Sequence, residues 1–461
     1  MKSNNVKILL VAIFIVVLAQ SCANDDNFVN IDNPDTSVVS DKTTKLSTDW
    51  NKLWLELDRY TSGMRPNATA RALAYIHLAA YETAVADMDG YTSNRNRLSD
   101  FNLNPNERAD NVDLDLALST CYALVFDHFM YNVESSIKAG INQLKESKEN
   151  ELSVGLTENV IENSIEWGTY VAERVIAYSQ TDTEAETQIL DPQPFSYEPP
   201  VGDGFWTYSA DAERAWFPYW GSVRTFVISS EETSSIPPPI SYSEQNNSAY
   251  YNQMLEVYEV STAARVDDNE DLWISEFWSD DVEGLMMSPP GRQISIAIQL
   301  MEQDDMGFEA CLALFLKLGF SLNDVCVSTW EDKYQYMVMR PNVYINEFID
   351  EDYQTNLYRF IFWPNPSFPG YPSGHSSFAS AAAGIFIDHF GDTVSFTDRS
   401  HEGRTEFRST PREFSSFSEM AEENAFSRVP FGVHIRMDCT EGLRLGYEVA
   451  DAINDFNLHT N

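Results

Sequence analysis

Three short segments toward the C-terminal end bring together residue types that can hold and protonate an anion. They are Lys333-x6-Arg340-Pro341, Pro372-Ser373-Gly374-His375 and Ser427-Arg428-x5-His434-x3-Asp438. Ser373 suits the cap of a helix that runs on through the small residues Ala379 to Gly384, because its hydroxyl accepts from a first-turn N–H. The first N–H groups of that helix have no intrahelical partner and form a ready anion site. Gly374 lets an anion approach the backbone, and His375 sets a titratable group beside it. Three fixed cations, two histidines and a helix start are what a tetrahedral oxyanion requires. The chain has 30 Lys and Arg against 71 Asp and Glu, so basic groups at these spacings carry information.

These groups need a rigid frame, and the apolar periodicity predicts helices throughout. In the first half, helices are expected over Trp50–Tyr60, Ala68–Met88, Asp113–Val133 and Glu158–Tyr178, an antiparallel bundle. Arg65-Pro66 breaks the first from the second, and His77 falls on an apolar face as a core histidine. The stretch Thr181–Asn246, rich in proline and aromatics, reads as a strap or lid between two helical halves. Helices resume at Ser248–Ser261, Asp271–Trp278 and from Pro289. Phe308–Cys326 is apolar nearly all round but is interrupted by Glu309, Lys317, Asn323 and Asp324, which fits a core helix better than a membrane span. It leads into Trp330 and Lys333, which share a helical face. A Pro-rich approach, Trp363–Tyr371, precedes Ser373, and a long helix is expected over His434–Phe456. The expected fold is all-α.

With 461 residues and 43% apolar content the chain can bury a large core. A net charge of −41 argues against nucleic acid and against anionic membrane surfaces as partners. Residues 1–21 resemble a signal peptide, with Lys2 and Lys7 before the apolar run Ile8–Leu18. Ala19-Gln20-Ser21-Cys22 resembles a lipoprotein processing site, which implies an exported protein attached to a membrane only through a lipid on Cys22. It would stand at the outer membrane or cell surface, or in the periplasm. Residues 22–47 read as a tether, 48–246 as the N-terminal bundle with its strap, and 247–461 as the C-terminal helical domain. Cys121, Cys311, Cys326 and Cys439 lack zinc-like spacing and read as buried thiols.

Taken together, the three segments resemble the signature of the type 2 phosphatidic acid phosphatase (PAP2) and vanadium haloperoxidase superfamily, in order and without a substitution. Gly432 before His434, the regions Trp206–Phe226 and Glu276–Gly291, and Arg71–Ala84 are similar to the haloperoxidase branch. The resemblance implies two four-helix bundles with the site in the C-terminal one. It also implies that Lys333, Arg340, Arg428, Ser373 and Gly374 hold the oxygens of a vanadate cofactor. His434 would be the metal ligand, Asp438 would orient it, and His375 would be the acid–base group. Trp330 and Phe368 would flank the halide pocket, as in chloroperoxidases and bacterial iodoperoxidases. Either Asp280 or Asp281 would pair with a site arginine. The implied reaction oxidises halide, iodide or bromide foremost, with hydrogen peroxide to hypohalous acid, with a small organic acceptor as a further partner. The same residues also suit a soluble acid phosphatase in which His434 forms a phosphohistidine.

Overall fold

Polar side chains open most of the helices. The computed structural model describes residues 39–208, 213–265, 269–280, 282–359 and 365–460. Asp41 accepts from Thr44 N at 2.8 Å and starts α1, Lys42–Asp58, ahead of the expected boundary at 48. The last residues assigned to the tether are therefore helical, and Leu46 is buried in the core. The signal peptide and Cys22 lie outside the described residues. After Arg65-Pro66 comes α2, Asn67–Ala84. Asp113 caps α3, Leu114–Phe129; α4 is Ser135–Leu152; Thr157 caps α5, Glu158–Gln180. Periodicity alone misses α4, whose exposed, charged surface buries only Ile141 and Leu144.

The strap is less irregular than its prolines suggest, since it opens with α6, Thr183–Leu190. Beyond it follow α7, Ala249–Ala264, α8, Glu270–Phe277, and α9, Pro289–Gln303, the last capped by Ser288. The core helix and the Trp330–Lys333 segment are one element, α10, Phe308–Tyr336. Among the described residues only this helix is long and apolar enough to cross a membrane, and 83% of its apolar window is buried inside the protein. The short α11 spans Pro341–Phe348, and α12 spans Gly374–Phe390. Three-residue strands β1, Phe396–Asp398, and β2, Arg412–Phe414, pair antiparallel, and α13, Phe417–Phe431, and α14, Arg436–Asp455, complete the chain.

The expected all-α architecture holds. Helices α1 to α5 pack as a first bundle around α3, while α10, α12, α13 and α14 form the second. Helix α10 belongs to both, lying against α2 on one side and α12 on the other. One apolar core accordingly runs without a break from Leu46 to Leu458. His77 is buried in it, stacked on Phe315 with ring centroids 4.7 Å apart, and burial pushes its pKa down to about 3. All four cysteines of the described residues are free and buried.

The strap is tied down by buried carboxylates from the second bundle. Asp324 accepts from Phe226 N and Val227 N at 2.8 Å each and from Ile228 N at 3.2 Å. Asp332 accepts from Ser235 N at 2.7 Å and Glu441 from Ile236 N at 2.8 Å. Trp216 N donates to Ser367 O at 3.0 Å, which brings the strap beside the Pro-rich approach to α12.

Candidate active site

The N-terminus of α12 is built from small groups. Ser373 caps it by accepting from Ser376 N at 3.4 Å, and Ser373 N itself donates to Asp438 O at 2.9 Å. That bond ties the start of α12 to the start of α14. Close approach is possible because α14 presents Gly442 and Gly446 to the first turns of α12. A Cβ at Gly442 would stand 2.5 Å from Ser373 O, and one at Gly446 would collide with Ser377 O and Ser380.

His434 sits just before α14 rather than in its first turn. Ile435 is the N-cap, and Asp438, three residues into the cap, accepts from Ile435 N at 3.2 Å. The chain reaches His434 through Gly432, which ends α13 with φ 90°, a left-handed conformation that strains any residue with a Cβ. Gly432 thus turns the chain from Arg428 on one helix to His434 before the next.

A cavity of about 260 Å³ opens at this point, and Trp330, Arg340, Phe368, Gly374, His375, Arg428 and His434 all line it. Seven residues spread from Trp330 to His434 along the chain thus share one space. Lys333, Ser373 and Asp438 stand behind the lining. Lys333 is fully buried, its Nζ donating to Pro369 O and Gly370 O at 3.2 Å each and to Pro372 O, so it holds the approach to the cap. Arg340 donates to Phe368 O at 2.8 Å and Val433 O at 3.0 Å. Arg428 donates to Ser427 Oγ at 2.9 Å and to Trp278 O. Trp330 and Phe368 meet with ring centroids 5.2 Å apart and form the aromatic wall.

Hydrogen bonding fixes the histidine tautomers. Arg340 can only donate, so its 3.1 Å contact with His434 makes Nε2 the acceptor. Nδ1–H of His434 then donates to Asp438 Oδ2 at 3.1 Å. Nε2 is thereby the acceptor nitrogen, the one a metal or phosphorus would bond in place of the Arg340 donor. His375 Nε2 donates to Ser279 O at 3.2 Å, which leaves Nδ1 as its basic atom.

Electrostatically the site is poised for an anion. Burial, then Arg428, hold His375 well below the ordinary imidazole range, and burial, then Arg340, do the same to His434. Burial and the neighbouring Arg340 depress Lys333, and burial pushes Asp438 up to about 7. The residues fit a tetrahedral oxyanion, because cationic donors and a helix start converge with no carboxylate of the motif turned into the cavity. A unit charge about 4 Å from another at a near-surface effective dielectric is worth roughly 4 kcal/mol, so a bound oxyanion would oppose the push of Arg428 on His375. His375 should then gain a proton when the anion binds, and binding should weaken as pH rises. Sulfate carries no exchangeable proton near neutrality and isolates this effect. Its binding heat should vary with buffer ionisation enthalpy in the sense of proton uptake, and His375→Gln should remove the variation. A buffer-independent heat in the unaltered protein would rule the coupling out.

Of the two carboxylates expected beside a site arginine, Asp280 takes a different place. Asp280 pairs with Arg292 at 2.7 Å rather than with Arg340 or Arg428, and Asp281 lies outside the described residues. Arg292 also reaches Asp398 at 3.2 Å, donates to Phe277 O at 2.7 Å and contacts Nε2 of His401. This buried cluster anchors residues 277–280, whose carbonyls receive Arg428 and His375. Sequence reasoning missed Arg292, Asp398 and His401; the Pro289-Pro290-Gly291 stretch preceding Arg292 was the available signal.

Residues 313–460 match the VCPO second helical-bundle domain. No curated protein matches the chain significantly. The fold superposes on a crystal structure of a bacterial vanadium-dependent iodoperoxidase with TM-score 0.78 and 24% identity, covering 91% of this chain and 97% of that one. A holo-type bacterial vanadium-dependent chloroperoxidase aligns with TM-score 0.65 and 16% identity over 86% of this chain and 92% of that one. The apo-type structure of such a chloroperoxidase gives TM-score 0.63 and 17% identity, with 85% and 94% covered.

Proposed function

We propose, for a chain with the fold of the vanadium-dependent haloperoxidases, that it binds vanadate and oxidises halide with hydrogen peroxide. The observation that carries this reading is His434, with Nε2 fixed as its acceptor nitrogen, lining one cavity with Arg340, Arg428 and the start of α12. Arg340, Arg428 and the Gly374 N–H would hold the cofactor's oxygens, with Lys333 and Ser373 supporting them from behind. His434 would be the one side chain bonded to the metal, kept in its tautomer by Asp438. Vanadate, when bound, supplies a Lewis-acidic centre at which peroxide is activated for attack by halide. Nδ1 of His375 takes the proton that hydrogen peroxide loses on entering and returns it to the leaving oxygen. Trp330, Phe368 and Trp216 keep water from the reacting oxygen.

The decisive experiment measures vanadium content after reconstitution and assays iodide oxidation beside phosphate-ester hydrolysis. Stoichiometric vanadium with vanadate-dependent iodide turnover is expected. Ester hydrolysis without halide oxidation would favour the phosphatase reading, since phosphate and vanadate have the same shape. Among halides we expect iodide first, bromide weaker and chloride negligible, because iodide gives up electrons most easily. Turnover with each at fixed peroxide tests this, and efficient chloride oxidation at mildly acidic pH would overturn it. Export and a lipid on Cys22 belong to the same proposal on the strength of the leader sequence, and metabolic labelling with a fatty acid, with Cys22→Ala as control, tests them.

A further inference from the structure

We infer that Arg65, from the first bundle, holds the halide at the edge of the oxyanion cavity; this inference rests on the haloperoxidase reading above. Arg65 lies in the loop between α1 and α2 and lines the same cavity as His375 and Arg428. Its guanidinium makes one hydrogen bond among the described residues, Nη2 to Asp280 O at 2.7 Å. Nε and Nη1 are buried with no acceptor; the buried Asp58 carboxylate interacts with the Arg65 charge and Glu283 lines the same cavity, but neither accepts a hydrogen bond from the group. Asp280, on the same wall, has its charge engaged by Arg292. A cation with two buried, unsatisfied N–H groups is costly, and an anion received between them removes the cost.

The chemistry favours a small monovalent anion over the oxyanion itself. The oxyanion set belongs to the second bundle and already has its arginines and helix start, whereas Arg65 enters from the opposite element. A guanidinium is weakly hydrated and accepts soft, weakly hydrated anions at little desolvation cost. Trp330 Nε1 is a second buried N–H on this cavity without an acceptor, and it can only donate. Pro66 adds apolar surface beside Arg65. A halide held there would approach the activated oxygen without entering the metal's coordination. Arg65 would set halide affinity while leaving peroxide activation to His375 and the cradle.

The test uses the full chain reconstituted with vanadate, comparing Arg65→Met and Arg65→Lys with the unaltered protein. Arg65→Met should raise the KM for iodide by about tenfold or more, the scale of one charged hydrogen bond. Its kcat, peroxide KM and vanadium stoichiometry should stay near those of the unaltered protein, and Arg65→Lys should recover part of the iodide affinity. Independently of turnover, crystals soaked in bromide should show an anomalous peak beside the Arg65 guanidinium that Arg65→Met lacks. If no halide is oxidised while that peak is present, the function reading fails and the anion site stands. If halide is oxidised but iodide KM is unchanged and no peak appears, the inference fails alone. Loss of vanadium in Arg65→Met would assign Arg65 to the oxyanion cradle and overturn it. So would an effect confined to a carboxylate-bearing organic acceptor with iodide KM intact. Should Arg65→Met not fold, Arg65→Lys and the bromide peak in the unaltered protein decide.

Discussion

Replacing His434 by alanine abolishes vanadate-dependent halide oxidation and leaves the helical fold intact. The loss should exceed the roughly 10²–10³-fold typical of removing one hydrogen-bond donor from an anion site, because here the metal bond itself disappears. Structure should survive because His434 makes its side-chain hydrogen bonds only with Arg340 and Asp438 among the described residues. Arg340 keeps the carbonyls of Phe368 and Val433, and the raised pKa of Asp438 lets its carboxyl go neutral when the imidazole is gone. The measurements are vanadium content, iodide turnover and far-ultraviolet circular dichroism on one preparation. Halide oxidation at the unaltered rate, still dependent on vanadate, would end the assignment of His434 as metal ligand.

The second large effect is expected at a position that has no side chain and does not line the cavity. Gly446→Leu should destabilise the protein and also empty the site of vanadium. A Cβ at this position meets Ser377 O and Ala381 N, which are helix backbone and cannot rotate away. Overpacking of a well-filled interior typically costs about 1–3 kcal/mol, and unyielding neighbours place this substitution at or above the upper end. Relief requires α12 and α14 to separate. That movement carries Ser373–His375 away from His434–Asp438, stretching the 2.9 Å bond from Ser373 N to Asp438 O. The thermal midpoint should fall, and vanadium affinity should fall at temperatures where the variant is still folded. A folded variant with undiminished affinity would show that helix spacing does not set the site.

Much of the site is legible in the sequence because its parts are local. A serine cap with Gly374 and His375 behind it is a one-turn pattern, and the Arg428–His434–Asp438 spacing spans a single helix–turn–helix connection. Local geometry converts such spacing into position, so the three segments and the all-α class can be read directly. The apolar periodicity of α2, α3, α5 and α10 is legible for the same reason. Helix α4 is not, since a mostly exposed helix carries little apolar stripe, and α13 is masked by Pro430 within it.

The remaining decisions belong to tertiary packing. Hydrophobic burial is non-directional, so an apolar stripe says that a face is covered and not by what. Nothing along the chain tells that α10 serves both bundles, or that the loop before α2 carries Arg65 to a cavity built by residues 330–434. The partner of Asp280 is likewise undecidable from spacing, because a buried carboxylate pairs with whichever cation the fold sets within reach, and here that is Arg292. The tautomer of His434 is also settled in three dimensions, since Arg340 Nη1 stands against Nε2 and leaves Nδ1–H to Asp438. Spacing chose the residue types and their local order. Packing across the two bundles chose their partners, because contact between distant segments depends on every helix face at once.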